Sequence, residues 1–405
     1  MDTIFALASA QGKAGVAVVR VSGPDSLAAL QMLTGLDHFP DKPCLRAVVD
    51  KAGDLIDRAL ILAFPQGKSF TGEATVEFQL HGSPAIVKKV LAELNTIDNC
   101  RMADPGEFTR RAMANGQLDL AQVEGLADLL EAETESQRRQ AISVFEGHLG
   151  WLATKWRTKL VRAGALLQAI IDFADEEVPE DVGPEVLDLV SSVQEELEKE
   201  LLGYHAAERV RDGFKVAIVG KPNVGKSSLL NILAGRDVAI TSDIAGTTRD
   251  LVEIHIDING LAVSIVDTAG LRVTDDPLEN LGIERAKTAA ENADLRIFLG
   301  DDSGFETSID TQSGDLHVYG KGDVQNAPAG SMGISSVSGD GIDNLRTALS
   351  DVLTSRAQRA GSLTRERHLF AVTDAKLTLA QVILTLKSGS YEPDLLAEDV
   401  RTATN

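Results

Sequence analysis

The stretch Gly220-Lys221-Pro222-Asn223-Val224-Gly225-Lys226-Ser227 has the spacing G-x-x-x-x-G-K-S, which cradles the phosphates of a nucleotide. Glycines at the ends of the turn let backbone N–H groups face an anion. Lys226 is spaced to reach the β- and γ-phosphates, and Ser227 to ligate Mg²⁺. Val224 and Ser228 complete the cradle. An apolar run over residues 214–219 precedes it, and Ser228-Leu229-Leu230-Asn231-Ile232-Leu233 follows. The loop therefore joins a strand to a helix, whose N-terminus adds partial positive charge behind the phosphates.

Two further elements follow in the order a GTPase needs. Gly246-Thr247-Thr248-Arg249-Asp250 offers Thr248 as a second Mg²⁺ ligand, with Thr247 beside it. An apolar run over residues 261–266 ends in Asp267-Thr268-Ala269-Gly270. There Asp267 stands behind the metal and the Gly270 N–H senses the γ-phosphate. Leu271 occupies the position where Ras-like proteins carry a water-orienting glutamine, so another group must do that work. Glu279 opens a helical stretch a few residues on; a glutamate there also suits the helix dipole. The expected catalytic set is Lys226, Thr248 and Glu279. For the base, Gly320-Lys321-Gly322-Asp323 ends the run over residues 316–319. Lys321 and Asp323 stand where N-K-x-D places them, while Gly320 replaces the asparagine. Ser335 and Ser336 belong to the loop beside the base. GTP remains the expected ligand, bound more weakly.

The elements that must position these groups read as a mixed chain. Residues 214–357 alternate apolar β-runs with helical stretches, the pattern of a parallel sheet covered by helices. Residues 118–213 are helical in texture, with Val123, Ala127, Leu130 and then Ala141, Phe145, Leu149 at helical spacing. Helical texture returns over residues 358–405. The nucleotide domain is thus expected as a Ras-like insertion in a helical domain. Residues 1–117 read as a separate small α/β domain: a hairpin over 3–20, further β-runs near 46–49, 58–64 and 74–80, and a helix over 84–94.

Composition narrows the setting. The chain has 405 residues, 43% hydrophobic and 25% charged, an ordinary globular balance. No apolar run reads as long enough to span a membrane, and residues 1–4 begin no secretory signal. Two cysteines, Cys44 and Cys100, fit a reducing compartment, hence a cytoplasmic location. A net charge of −22 argues against binding RNA by broad phosphate contacts. An RNA-associated switch, such as a ribosome-assembly GTPase, would need a basic module that the sequence does not display.

Beyond the nucleotide motifs, several segments carry a resemblance over almost the whole chain. They are Asp2-Thr3-Ile4, Arg20-Val21-Ser22-Gly23, Phe70-Thr71-Gly72-Glu73, Pro105-Gly106-Glu107-Phe108, Leu118-Asp119-Leu120-Ala121-Gln122 and Asp172-Phe173 with Asp175-Glu176-Glu177. In this order they resemble the MnmE (TrmE) family of tRNA-modifying GTPases. The resemblance implies a GTPase that works with a flavin protein, MnmG, on carbon 5 of the wobble uridine of tRNAs, contacting tRNA mainly through the complex. It implies a homodimer through folate-binding-like N-terminal domains, and a one-carbon donor such as 5-formyl- or methylene-tetrahydrofolate. It further implies K⁺-stimulated hydrolysis, with Asn223, Ser242, Ile244 and Thr247 at the K⁺ positions and Glu279 orienting water. Arg20 and Glu77 match folate positions, and Gln117 stands where the family has a lysine. The family ends in Cys-Ile-Gly-Lys, whereas this sequence ends in Ala403-Thr404-Asn405. The 405 residues as given are therefore expected to hydrolyse GTP, and to take part in tRNA modification once a Cys-Ile-Gly-Lys end is supplied.

Overall fold

The computed structural model describes residues 2–172, 182–236, 253–267, 287–306, 308–324, 327–328, 330–389 and 392–405. The chain divides into two compact units, Met1–Val123 and Glu124–Asn405.

The first unit is built on β1 (Thr3–Leu7), β2 (Ala14–Ser22), β3 (Cys44–Val49), β4 (Leu55–Phe64), β5 (Thr75–Gly82) and β6 (Cys100–Met102). They form one sheet in the order β3-β4-β5-β2-β1-β6. The pairs are antiparallel except for β1 with β6. Helices α1 (Ser26–Thr34), α2 (Pro84–Leu94) and α3 (Glu107–Ala114) complete the unit. Strand residues alternate between faces. Val19, Val21, Ile61, Val76 and Phe78 point into a core closed by Leu30, Leu33, Val90 and Leu94 of α1 and α2. Arg20 and Glu77 lie between those positions, so they share the opposite face. Their backbones are directly paired across β2 and β5. The hairpin, the three later β-runs and the helix over 84–94 read from the sequence are all present. Strand β6 and helix α3 are additions. Cys100 lies on β6, paired with Thr3 of β1.

In the second unit, helices α4 (Leu120–Glu131, which starts just before the unit boundary), α5 (Glu135–Phe145), α6 (His148–Asp172) and α7 (Gly183–Asp212) precede the nucleotide fold. Strands β7 (Phe214–Gly220), β8 (Glu253–Ile258), β9 (Leu261–Asp267), β10 (Leu295–Gly300), β11 (Leu316–Tyr319) and β12 (Met332–Gly333) form its sheet in the order β12-β11-β10-β7-β9-β8. All neighbours are parallel except β8 with β9. Helix α8 (Lys226–Arg236) follows the phosphate loop, and α9 (Ile342–Ala357) ends the domain. Then α10 (Glu366–Ser388) and α11 (Pro393–Thr404) return to pack on α7 and α6. Leu152, Trp156, Leu160, Val190, Val193, Leu379, Val382 and Val400 form their common core. The nucleotide fold is thus inserted into a helical domain.

Three details depart from the sequence reading. Leu130, at helical spacing with Val123 and Ala127, lies on α4 yet is 81% exposed. Helix α10 has 23 residues and a mean hydropathy of 1.5 over an 18-residue window. By length and composition it could cross a membrane, although no such run had been expected. Here its Leu379, Val382, Ile383 and Leu386 close the helical core. The crossover from β10 to β11 contains no helix among its described residues. Parallel strands ordinarily need a crossover of a dozen residues or more, usually helical. Phe305 and Ile309 instead fill the space, packing with Phe298, Ala217, Val219 and Ala290.

Candidate functional site

Strand β7 places the phosphate loop at the point where the sheet order reverses, because β9 and β10 flank it on either side. The crevice beyond the C-terminal ends of these strands is where open α/β sheets hold ligands. Asn223 and Gly225 have φ of 63° and 107°, so the loop turns through left-handed backbone. Asparagine and glycine tolerate that region best. Val224 is buried and anchors the turn. Ser227 and Ser228 are exposed at the start of α8.

Lys226 is almost fully buried. Its Nζ donates to the carbonyls of Gly220 at 2.7 Å and Lys221 at 3.0 Å, within the loop itself. Burial pushes its pKa down, and the carboxylates of Asp267 and Glu306 oppose that shift. Ser227 Oγ donates to Asp267 Oδ2 at 2.6 Å. Asp267 is buried and its Oδ1 has no partner among the described residues. A buried carboxylate oxygen must find a donor or a cation. Next to the phosphate-loop serine, it suits a hydrated Mg²⁺, which keeps several of its waters.

On the base side, Gly322 N–H donates to the Ile334 carbonyl at 2.8 Å. That bond brings the Lys321–Asp323 segment against the loop after β12. Ser335 Oγ donates to Asp323 Oδ1 at 2.9 Å, fixing the carboxylate, and Ser336 follows it half-buried. Lys321 has φ 57° and approaches Asp301 at 3.8 Å. Gly320 lies against the phosphate loop: a Cβ there would sit 3.1 Å from the Val224 carbonyl oxygen. Not anticipated from the sequence is that Lys221 Nζ donates to the Ser303 carbonyl at 2.5 Å, tying the phosphate loop to the crossover after β10. Glu306, near enough to act on Lys226, was also missed, since the crossover carries no motif. Ser242, Ile244, Thr247, Thr248, Gly270 and Glu279 lie outside the described residues.

The first unit holds a second cluster. Arg20 donates from Nε to Glu77 Oε1 at 2.8 Å, and Nη2 lies 2.8 Å from the same oxygen. Its guanidinium carbon sits 5.5 Å from the ring centroids of both Phe70 and Phe108. Gln117 packs over the turn after Phe70, where a Cβ on Gly72 would meet it at 3.1 Å. Among the described residues it makes no hydrogen bond or ion pair with Arg20 or Glu77, so of the expected trio only those two are joined directly. A polar network underlies the cluster. Ser22 Oγ contacts Thr71 Oγ1 and donates to Glu73 Oε2, both at 2.7 Å. Arg111 bridges Glu73, Asp2 and Glu107. Arg101 reaches Glu107 at 2.6 Å and, with the desolvation of burial opposing it, holds that carboxyl down at about 2. Gly23 passes so close to Thr3 that a Cβ would lie 2.7 Å from its Cα, which explains a glycine after Ser22.

The chain is similar to known proteins over its whole length. Residues 3–117 match the family model of the GTP-binding protein TrmE N-terminus. Residues 120–405 match that of the MnmE helical domain. The tRNA modification GTPase MnmE of Dinoroseobacter shibae is 53% identical over 404 residues, spanning all of this chain and 94% of the relative. That of Cereibacter sphaeroides is 52% identical over 403 residues, with the same coverage. Among solved structures, a variant of Aquifex aeolicus Era bound to GDP.AlF4- aligns with 34% of this chain and 56% of its own, at 30% identity and a TM-score of 0.28. The chain belongs to the MnmE family of tRNA modification GTPases.

Proposed function

We propose that this protein hydrolyses GTP in a K⁺-stimulated reaction and, with the flavin protein MnmG, takes part in carbon-5 modification of wobble uridine in tRNA. The observation that carries the GTPase half is the joined set of Lys226, Ser227 and Asp267. Lys226 would leave its loop carbonyls for the β- and γ-phosphates, and Ser227 with Thr248 would hold Mg²⁺. The cation would neutralise charge on the phosphate oxygens, and Asp267 would orient its waters. Glu279 would orient the attacking water in place of the absent glutamine. Asp323, held by Ser335, would accept from guanine, with Lys321 along the ring and Ser336 in the loop beside it. Asn223, with Ser242, Ile244 and Thr247, would hold K⁺ and supply the positive charge that an arginine finger otherwise gives.

In the same reading, Arg20, Glu77 and Gln117 bind a tetrahydrofolate that supplies the one-carbon unit. The functional divisions are residues 1–117 for folate and homodimerisation, 118–213 and 358–405 for the helical domain, and 214–357 for GTP. The protein works in the cytoplasm. GTP turnover measured in K⁺ and in Na⁺ at equal ionic strength tests the reaction class. Turnover at least about 10-fold faster in K⁺ is expected for a cation that replaces an arginine finger, whose own contribution is larger. Equal rates would remove K⁺ from the mechanism.

A further inference from the structure

We propose that Phe70 and Phe108 are positioning residues that hold Arg20 in place for a flat, polar-edged ligand. The inference rests on the reading of this site as the reduced-folate site. The two rings come from different segments, the turn before β5 and the first turn of α3, yet both approach the same guanidinium at 5.5 Å. A guanidinium offers its faces to aromatic rings and its edge to hydrogen-bond acceptors. Both rings lie within cation–π reach of the one guanidinium. Nε and Nη2 are spent on Glu77 Oε1. Among the described residues, Nη1 of Arg20 and Oε2 of Glu77 have no partner. One donor nitrogen of Arg20 and one acceptor oxygen of Glu77 therefore remain for a ligand. The 2-amino-4-oxo edge of a pterin offers both N–H donors and a carbonyl acceptor, the two kinds of group these atoms can bind.

The network beneath explains why the rings stay in place. Asn115 Nδ2 donates to the Thr71 carbonyl at 2.7 Å, and Ser69 Oγ to the Glu73 carbonyl at 2.5 Å, fixing the turn that carries Phe70. Glu107, buried and bound by Arg101 and Arg111, fixes the start of α3 and with it Phe108. Both phenylalanines remain only half-buried. Core packing alone does not account for two rings at a partly open surface. The segments Arg20–Gly23, Phe70–Glu73 and Pro105–Phe108 thus serve one arrangement: an oriented Arg20.

The test is binding of 5-formyltetrahydrofolate to the full chain by calorimetry, with thermal melts as a folding control. Phe70→Leu and Phe108→Leu keep apolar bulk and remove the ring quadrupole. Each should weaken binding roughly 3–30-fold, the range expected for a partly desolvated cation–π contact. Phe70→Tyr and Phe108→Tyr keep the ring and should stay within about 3-fold of the parent. A structural role alone would not separate leucine from tyrosine in proteins that melt alike. Leucine variants that bind like the parent, while Arg20→Ala binds poorly, would overturn the positioning role and leave the site. Undiminished binding by Arg20→Ala would overturn the site itself. If one leucine variant does not fold, the other decides.

Discussion

In the nucleotide unit, the described groups aimed at phosphate and metal come from one short turn and the end of one neighbouring strand. In the N-terminal unit, Arg20, Phe70, Glu77 and Phe108 come from separate stretches, brought together by a sheet and a buried polar network. The difference follows from the ligands proposed for them. A phosphate is bound by consecutive backbone N–H groups, so its site must be contiguous and shows as spacing. A heteroaromatic ring is bound by side chains on its faces and edge, which any fold can gather from distant positions. The first kind of site is written in the sequence; the second is written in the fold.

This contrast can be sharpened by disturbing what lies beneath each site. The larger effect is expected at the N-terminal unit. The Glu107 carboxyl titrates at about 2 when folded, against 4.5 as its ordinary value. A depressed carboxyl contributes stability that is fully present above its unfolded pKa and is lost as pH falls through the folded value. The unit should therefore lose stability progressively between pH ~4.5 and ~2. Glu107→Gln should flatten that pH dependence and cost roughly 1–3 kcal/mol at neutral pH, because Arg101 and Arg111 lose a buried partner. Thermal melts of both proteins across this range check it. A parallel acid response in the two would show that the network does not support the unit.

A smaller effect is expected at Gly320. An asparagine there would restore a polar partner for the base, worth about 0.5–1.5 kcal/mol net. Its Cβ would also sit 3.1 Å from the Val224 carbonyl, in backbone that cannot shift without moving the phosphate loop. The two effects oppose each other, so Gly320→Asn should change GTP affinity by less than about 10-fold. Competition binding with GTP and ATP measures it. A larger gain would mean that the loop yields easily and that the glycine alone weakens guanine binding.

The sequence made the phosphate loop, Asp267 and the base segment legible because each combines a motif with a β-run that survives in the structure. It also made the first hairpin and the helix over 84–94 legible, through alternation and a proline at the first helical position. What it concealed has physical causes. The β10–β11 crossover was not expected to lack a helix, since Phe305 and Ile309 substitute for one by tertiary packing that leaves no periodic signal. Leu130 has helical spacing without a core to meet. Phe70 and Phe108 were legible as motif members, but their meeting at Arg20 depends on the turn after β4 and on the clamp at Glu107.

The most direct test asks whether the two sites can be silenced independently. Reduced-folate binding and GTP turnover are measured on the same preparations of Lys226→Ala and Arg20→Ala. Lys226→Ala should lower GTP turnover by about 10²-fold or more, as expected for loss of a group that stabilises transition-state charge. It should bind folate like the parent. Arg20→Ala should weaken folate roughly 10–100-fold, the cost of a lost charged hydrogen bond, and turn over GTP like the parent. Loss of both activities in either variant would contradict an account built on two separately constructed sites.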